Sequence, residues 1–380
     1  MPIAEIAFDS AGEASLHPAS MMPDEPITSR TVRTLLTAAI DAGVSDITLQ
    51  TDEPPRLHCE GRLYRLGRRR WQPPDIESAL TELYQATNGI VEIRSRKSLD
   101  FAYEIQRHDR QRSRFRVNAT GIEAGGGYGL EIALRCLPNS TPTTTAINLS
   151  PTLIRAMTPR GGLVILAGPT GCGKSTTLAA LVRHHFEKPE GCKIVDLQSP
   201  IEFTYRDLKG PGSIDTTLIG QSEIGKHLGD FAGGVRSALR RNPDIIIIGE
   251  ARDAETITAA LNAALTGHLV YTTTHANSPG ECLARLLHGV PRRDYHRYAF
   301  DLASVLRLVM TQSLHTPAGQ QHRRASRRHV IFDDALRTQL SHHDPWSWPA
   351  IINRAQVLCA HSQNPALCPA STGSRIPCHD

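Results

Sequence analysis

The spacing of apolar residues changes character about a third of the way along the chain. Over residues 30–42, Val32, Leu35, Leu36, Ala39 and Ile40 recur every three or four positions, which predicts an amphipathic helix ended by Gly43. Residues 46–50 and 56–66 alternate apolar with polar and predict two strand regions, the second folded into a hairpin at Glu60-Gly61. Ile76, Leu80, Leu83 and Tyr84 mark a second helix, and strand patterns follow at 101–105, 114–118 and 130–137. Helices mixed with several adjacent strands predict a small α+β domain over residues 29–137.

Residues 138–151 read PNSTPTTTAINLSP, the composition of an interdomain linker. Beyond it the alternation disappears. GLVILA at 162–167, KIVDL at 193–197, IIIIG at 245–249 and HLVYTT at 268–273 are short aliphatic runs separated by helical stretches. Strands this apolar are buried on both faces, as in a parallel sheet, so residues 152–340 are expected to form an α/β domain. The ends read differently. Residues 1–28 hold four prolines and predict a flexible tail, and residues 341–380 predict a second, partly disordered one. The basic stretch 321–330 (QHRRASRRHV) predicts a solvated loop or helix face.

Composition narrows the function. The 380 residues carry 42 Lys plus Arg against 38 Asp plus Glu, a net charge of +4, and 5% aromatics. That balance argues against a nucleic-acid binder, and the few aromatics argue against a stacking platform for single strands, so direct nucleic-acid binding is not expected. No secretory signal is legible, and no run of some 18 apolar residues could span a bilayer, which predicts a cytoplasmic protein. None of the eight cysteines forms a CxxC pair, so reduced thiols are expected rather than a disulfide framework or a zinc site.

One segment carries specific chemistry. Gly168, Pro169, Thr170, Gly171, Cys172, Gly173, Lys174, Ser175 and Thr176 fit G-x-x-x-x-G-K-[ST], between an apolar strand and a helical pattern containing Leu178, Leu181 and Val182. A nucleoside triphosphate needs many donors and no steric obstruction. Glycines let backbone N–H groups turn inward, and a helix start adds its positive dipole end. Lys174 is expected on the β- and γ-phosphates, and Ser175 on Mg²⁺. Cys172 reads as a small residue at a variable position. A second element is Ile245–Ile248 followed by Gly249 and Glu250, a buried strand with an acid at its carboxyl end. Glu250 there would hold Mg²⁺ or polarise a water. The expected cofactors are ATP and Mg²⁺.

The P-loop, the segment RNPDIIIIGEARD (241–253) and TGHLVYTTTHANS (266–278), in that order, resemble the secretion ATPases of the type II/type IV superfamily. SDITLQTDEPPRLHCEGRL (45–63) is similar to the opening of that family's PAS-like N-terminal domain, and RFRVNATG (114–121) to its arginine-bearing strand. The resemblance implies a RecA-like P-loop NTPase domain with a parallel sheet, preceded by the small PAS-like α+β domain. It implies His275 as the central histidine of a His box and Glu202 as the acid that activates water in an Asp box. It also implies Arg114, Arg116 and Arg135 as arginines reaching nucleotide phosphate. Finally it implies a homo-hexamer with ATP between the two domains at subunit junctions, peripheral to the inner membrane and working on secretion, conjugation or pilus platform proteins.

The sequence departs from the family pattern at Gln198 and Ser199, where acids usually precede the Asp-box proline, and at Gln312-Ser313-Leu314, where many members read Q-R-L. The tetracysteine zinc site of the assembly-type enzymes is missing, which favours the smaller PilT-, TraJ- and DotB-like branch. Ala335-Leu336-Arg337 only faintly echoes the retraction-motor element, so a conjugation or type IVB secretion ATPase is expected ahead of a pilus-retraction motor. Gln198 and Ser199 also allow a nucleotide-gated assembly subunit with little turnover. A DNA-moving ATPase using the arginines of 323–328 ranks last.

Overall fold

The structure, a computed structural model, describes residues 5–8, 12–17, 27–106, 112–208, 216–288, 290, 292–316, 323–355 and 357–359. Two compact units emerge. The first groups residues 1–141 with 197–213 and 221–230, and the second groups 142–196, 214–220 and 231–380. The linker expected at 138–151 is therefore divided at Thr141/Pro142. The segment bearing Glu202 clusters with the first unit although it follows the P-loop in sequence.

The first unit runs β1 (Glu5–Phe8), β2 (Glu13–His17), α1 (Ser29–Asp41), β3 (Asp46–Gln50), β4 (Arg56–Cys59), β5 (Arg62–Leu66), α2 (Pro73–Tyr84), α3 (Gly89–Arg94), β6 (Leu99–Gln106), β7 (Arg112–Ala124) and β8 (Gly127–Leu137). Thr28 begins α1, its hydroxyl accepting from Thr31 N–H at 3.3 Å, and Val32, Leu35, Leu36, Ala38 and Ala39 form the buried stripe. Asp75 ties α2 to its surroundings by accepting from the backbone N–H of Ile27 and Gln72, each at 3.0 Å, and from Arg69. Glu60 and Gly61 both have positive φ, the two-residue turn expected between β4 and β5. The strands form one sheet in the order β1-β2-β5-β4-β3-β8-β7-β6. The expected tail at 1–28 therefore contributes two strands to that sheet. β1 pairs antiparallel with β2, and β2 pairs parallel with β5 at Glu13↔Arg65, where the two side chains form an ion pair.

The second unit and the two excursions continue with α4 (Pro151–Met157), β9 (Gly162–Ala167), α5 (Lys174–Phe186), β10 (Lys193–Gln198), β11 (Leu218–Glu223), α6 (Phe231–Ala238), β12 (Ile245–Ile248), α7 (Ala254–Leu265), β13 (Leu269–Thr274), α8 (Pro279–His288), α9 (Tyr295–Val305), β14 (Leu306–His315), β15 (Arg324–Ile331), α10 (Asp334–Ser341), α11 (Trp348–Ala355) and β16 (Val357–Cys359). The sheet order is β11-β10-β12-β13-β9-β14-β15-β16. β12, β13, β9 and β14 are mutually parallel neighbours, and every residue of β9, β12 and β13 is buried. The uninterrupted aliphatic runs thus form the parallel core as expected, buried on both faces.

Two expectations at the C-terminal end change. Residues 324–331 form strand β15, antiparallel to β14, rather than a solvated loop or helix face. Alternation along the strand buries Arg327 and His329 and exposes Arg328. Residues 341–355, expected as tail, hold α11, anchored by Trp348. Its ring is buried, and its indole N–H donates to the Leu340 carbonyl at 2.9 Å. Of the partly disordered tail expected over 341–380, residues 360–380 lie outside the described residues.

Beneath the central strands, the Tyr271 hydroxyl donates to the Met157 carbonyl at 2.8 Å, so His185 Nε2, 3.0 Å from the same oxygen, must be the donor. That bond suits either protonation state, and it is burial that favours the neutral ring. Burial, aided by Lys188 and His184, pushes its pKa from 6.5 down to about 3. A folded pKa below the unfolded one means that the unfolded chain takes up the extra proton, so stability falls as pH drops through this window and rises with pH across it. His185→Gln, which keeps a donor for Tyr271, should remove up to about 1.4 kcal/mol per pH unit of that slope between pH 6.5 and about 3. Urea midpoints of parent and variant across that range check this; parallel curves would refute it.

Candidate active site

β9, β13 and β12 run parallel in register Ala167↔Thr274 and Ile248↔Thr272, so the segments that follow them leave the sheet at the same edge. These are Gly168–Gly173, His275 and Gly249-Glu250. Gly168 N–H donates to the Thr274 carbonyl at 3.3 Å, Ala251 N–H to the Thr273 carbonyl at 3.0 Å, and the Thr273 hydroxyl to the Gly249 carbonyl at 2.6 Å. The three loops that carry the expected chemistry are thus laced to one another through β13.

Gly171 and Gly173 have φ of 74° and 87°, conformations that favour glycine. Pro169, Thr170 and Gly171 stand exposed at the tip, while Gly168 and Cys172 are buried at its base. α5 starts at Lys174, so the loop ends on a helix N-terminus. The Lys174 ammonium folds back over the loop, donating to the carbonyls of Gly168 at 2.7 Å and Pro169 at 3.0 Å. Cys172 packs as a small buried residue. Burial raises its thiol pKa, against an opposing pull from the Lys174 charge.

Glu250 is held on two sides. Its Oε1 lies 2.5 Å from Arg252 Nε and 3.2 Å from His275 Nε2. His275 is fixed in turn, since its carbonyl accepts from Arg285. Asp253 caps α7 by accepting from Thr256 N–H at 2.8 Å, a bond that holds its carboxyl below the ordinary carboxylate range. Arg252 thus pairs with Glu250, while Asp253 starts the helix that follows.

Glu202, Arg114 and Arg116 all lie in the first unit. Arg114 differs from expectation. It is buried, and its guanidinium donates to the carbonyls of Ile201 at 2.7 Å and Glu202 at 2.9 Å. Burial lowers its pKa, opposed by Glu104 and Glu223. Both terminal nitrogens thus hold the Asp-box backbone rather than projecting toward a phosphate. Glu223, which the sequence reading missed, completes the clamp: its buried carboxylate accepts from Ala102 N–H at 3.1 Å and Ile201 N–H at 3.0 Å. No local pattern marks Glu223, because its partners lie 22 and 121 residues away. Arg116 is half-exposed, paired with Asp100 at 3.0 Å and 3.6 Å from Glu202 Oε1. Arg135 pairs with Asp46 at 2.8 Å.

Residues 23–347 match the family described as Type II/IV secretion system protein. The chain is similar to the X-ray structure of the Legionella pneumophila ATPase DotB, with 36% identity and a TM-score of 0.80 over 88% of this chain and 89% of that one. The crystal structure of the pilus retraction motor PilT with bound ADP superposes with a TM-score of 0.71 at 26% identity, covering 85% and 91%. In sequence, the chain is 32% identical to the Pseudomonas aeruginosa type IV pilus retraction ATPase PilT over 74% of this chain and 76% of that protein. The chain belongs to the type II/IV secretion system protein family.

The two arginines should separate in stability. Arg114→Met strands two buried carbonyls and removes the cation beside Glu223, and is expected to cost about 2–4 kcal/mol. Arg116→Met loses a half-exposed pair and is expected to cost less than about 1 kcal/mol. Denaturant unfolding of both variants checks this, and equal costs would contradict the clamp.

Proposed function

We propose that this chain is an ATPase that energises a type IV secretion or conjugal transfer apparatus of the DotB/TraJ kind. What carries the reading is the glycine-lined loop on the N-terminus of α5, set at the same sheet edge as Glu250 and His275. The residues present fit a Mg²⁺-bound nucleotide. Gly171 opens onto free space, the glycine conformations suit an anion, and the Lys174 ammonium rests on the loop's own carbonyls, which a phosphate oxygen could replace. Ser175, on the first turn of α5, supplies the hydroxyl for Mg²⁺, with Glu250 as the second metal-side group. When bound, Mg²⁺ would neutralise charge on the transferring phosphoryl group.

The roles of the chain's own side chains follow. Lys174 exchanges its carbonyl partners for phosphate oxygens. Glu250, oriented by Arg252 and His275, manages charge on the metal side. His275 Nε2 lies 3.2 Å from that carboxylate, so displacement of Glu250 would be felt in the loop before α8. The family resemblance assigns Glu202 the attacking water and Arg116 the phosphate, and both assignments are proposals. So is assembly as a homo-hexamer at the cytoplasmic face of the inner membrane. A DotB-like apparatus is preferred to a retraction motor because similarity to the Legionella pneumophila DotB structure exceeds that to the PilT structure in both identity and TM-score.

Lys174→Ala should reduce phosphate release by at least about a hundredfold, more than 2.7 kcal/mol of barrier, with the melting transition retained. Undiminished turnover would refute the site. Tight nucleotide binding by the parent without turnover would instead favour the nucleotide-gated assembly subunit. Deleting the gene in its host should abolish substrate transfer and spare twitching; the reverse outcome would assign a retraction motor.

A further inference from the structure

Behind the P-loop lies a buried polar group. β14 runs parallel to β9 with Thr311 opposite Ala167, so the next residue, Gln312, stands against the base of the loop. Its side chain is buried and makes three hydrogen bonds. Nε2 donates to the Cys172 carbonyl at 2.6 Å, while Oε1 accepts from the Thr177 hydroxyl at 2.9 Å and from Arg327 Nε at 2.8 Å. Arg327 is the cross-strand partner of Gln312 on β15, is itself buried, and also reaches the Asn148 carbonyl at 3.4 Å. One amide therefore joins the loop, the first turn of α5 and β15.

The glycines show how close this support is. A Cβ at Gly173 would lie 2.8 Å from Gln312 Nε2, and a Cβ at Gly168 would collide with the Gln312 carbonyl oxygen. At Gly168 the strand behind leaves no room for a Cβ, and at Gly173 a Cβ would press on the amide itself. The bond to Cys172 also turns that carbonyl backwards, away from where an anion would sit. A peptide whose carbonyl is held on one side keeps its neighbouring N–H groups on the other, which is what an anion-binding loop needs.

We propose that Gln312 is a positioning residue for the phosphate loop, holding it in its anion-binding conformation through the Cys172 carbonyl, with Arg327 and Thr177 fixing the amide's orientation. This rests on the nucleotide reading above. Gln312→Glu separates support from packing. The carboxylate keeps the acceptor for Thr177 and Arg327 and nearly the same shape, but offers the Cys172 carbonyl an oxygen in place of a donor. In the purified full-length chain, the Kd for Mg²⁺ with a non-hydrolysable ATP analogue, measured by calorimetry, and the KM for ATP should rise together by about tenfold or more. kcat should change less and the melting temperature should stay within about 3 °C. A Kd within about twofold of the parent at an unchanged melting temperature would overturn the proposal and leave Gln312 as packing.

Should Gln312→Glu fail to fold, the Thr177 pair decides. Thr177→Val removes one anchor of the amide and should raise Kd about threefold, while Thr177→Ser keeps the hydroxyl and should restore it. Equal affinities for the two would overturn the proposal. A parent that neither binds the analogue nor turns over ATP would refute the nucleotide reading itself, a result distinguishable from unaffected variants on an active parent.

Discussion

The second unit depends on the parallel pairing of β12, β13 and β9. Parallel neighbours finish at the same edge, and here that edge receives a glycine loop, an acid and a histidine from three separate stretches of sequence. Isoleucine, leucine and valine pay for this arrangement: runs buried on both faces supply the apolar area that holds the sheet together. The polar edge can then carry backbone and charge that a core could not. Gly171 and Gly173 adopt left-handed backbone, and the Lys174 ammonium leans on carbonyls in place of a carboxylate.

The first unit handles charge in the opposite way. Arg114 and Glu223 are buried here, beside the part-exposed Glu104, and the cost of burying those two charges is offset by main-chain partners. Their effect is to fasten the Ile201-Glu202 backbone to the strands of this unit. Glu202 is thus carried by a segment whose position is set by an arginine far away in sequence. A change at Arg114 would read out at Glu202 even with Glu202 intact, which separates holding an acid in place from acting on a substrate.

Much of the fold was legible because its signals are local. The aliphatic runs at 162–167 and 245–248, the helix face of Val32, Leu35 and Leu36, and the Glu60-Gly61 turn each contain their own evidence. The parts that were not legible depend on distant partners. Strands β1 and β2 sit in a Pro-rich stretch and owe their place to pairing with β5. β15 reads as basic and solvated until β14 lies beside it, whereupon alternation sends Arg327 inward. Residues 341–355 look like a tail until Trp348 finds the Leu340 carbonyl. The site divides in the same way. Lys174, Glu250 and His275 come from motifs and stand at one edge, whereas the clamp role of Arg114 appears only when the carbonyls it holds are known.

Gln312 shows how a motif can be read from the wrong side. In sequence it is part of a departure, Gln-Ser-Leu where an arginine follows glutamine in many relatives. In the structure an arginine does stand next to the glutamine, but it comes from the opposing strand as Arg327. An amide needs both its oxygen and its nitrogen satisfied when buried, and the only orientation that serves Arg327 and Thr177 at the oxygen leaves the nitrogen facing the Cys172 carbonyl. The charge on Arg327 thereby sets which way the amide points, and the amide sets which way a P-loop peptide points. Electrostatics in the strand behind the loop thus fixes backbone geometry in front of it, without either side chain touching a phosphate.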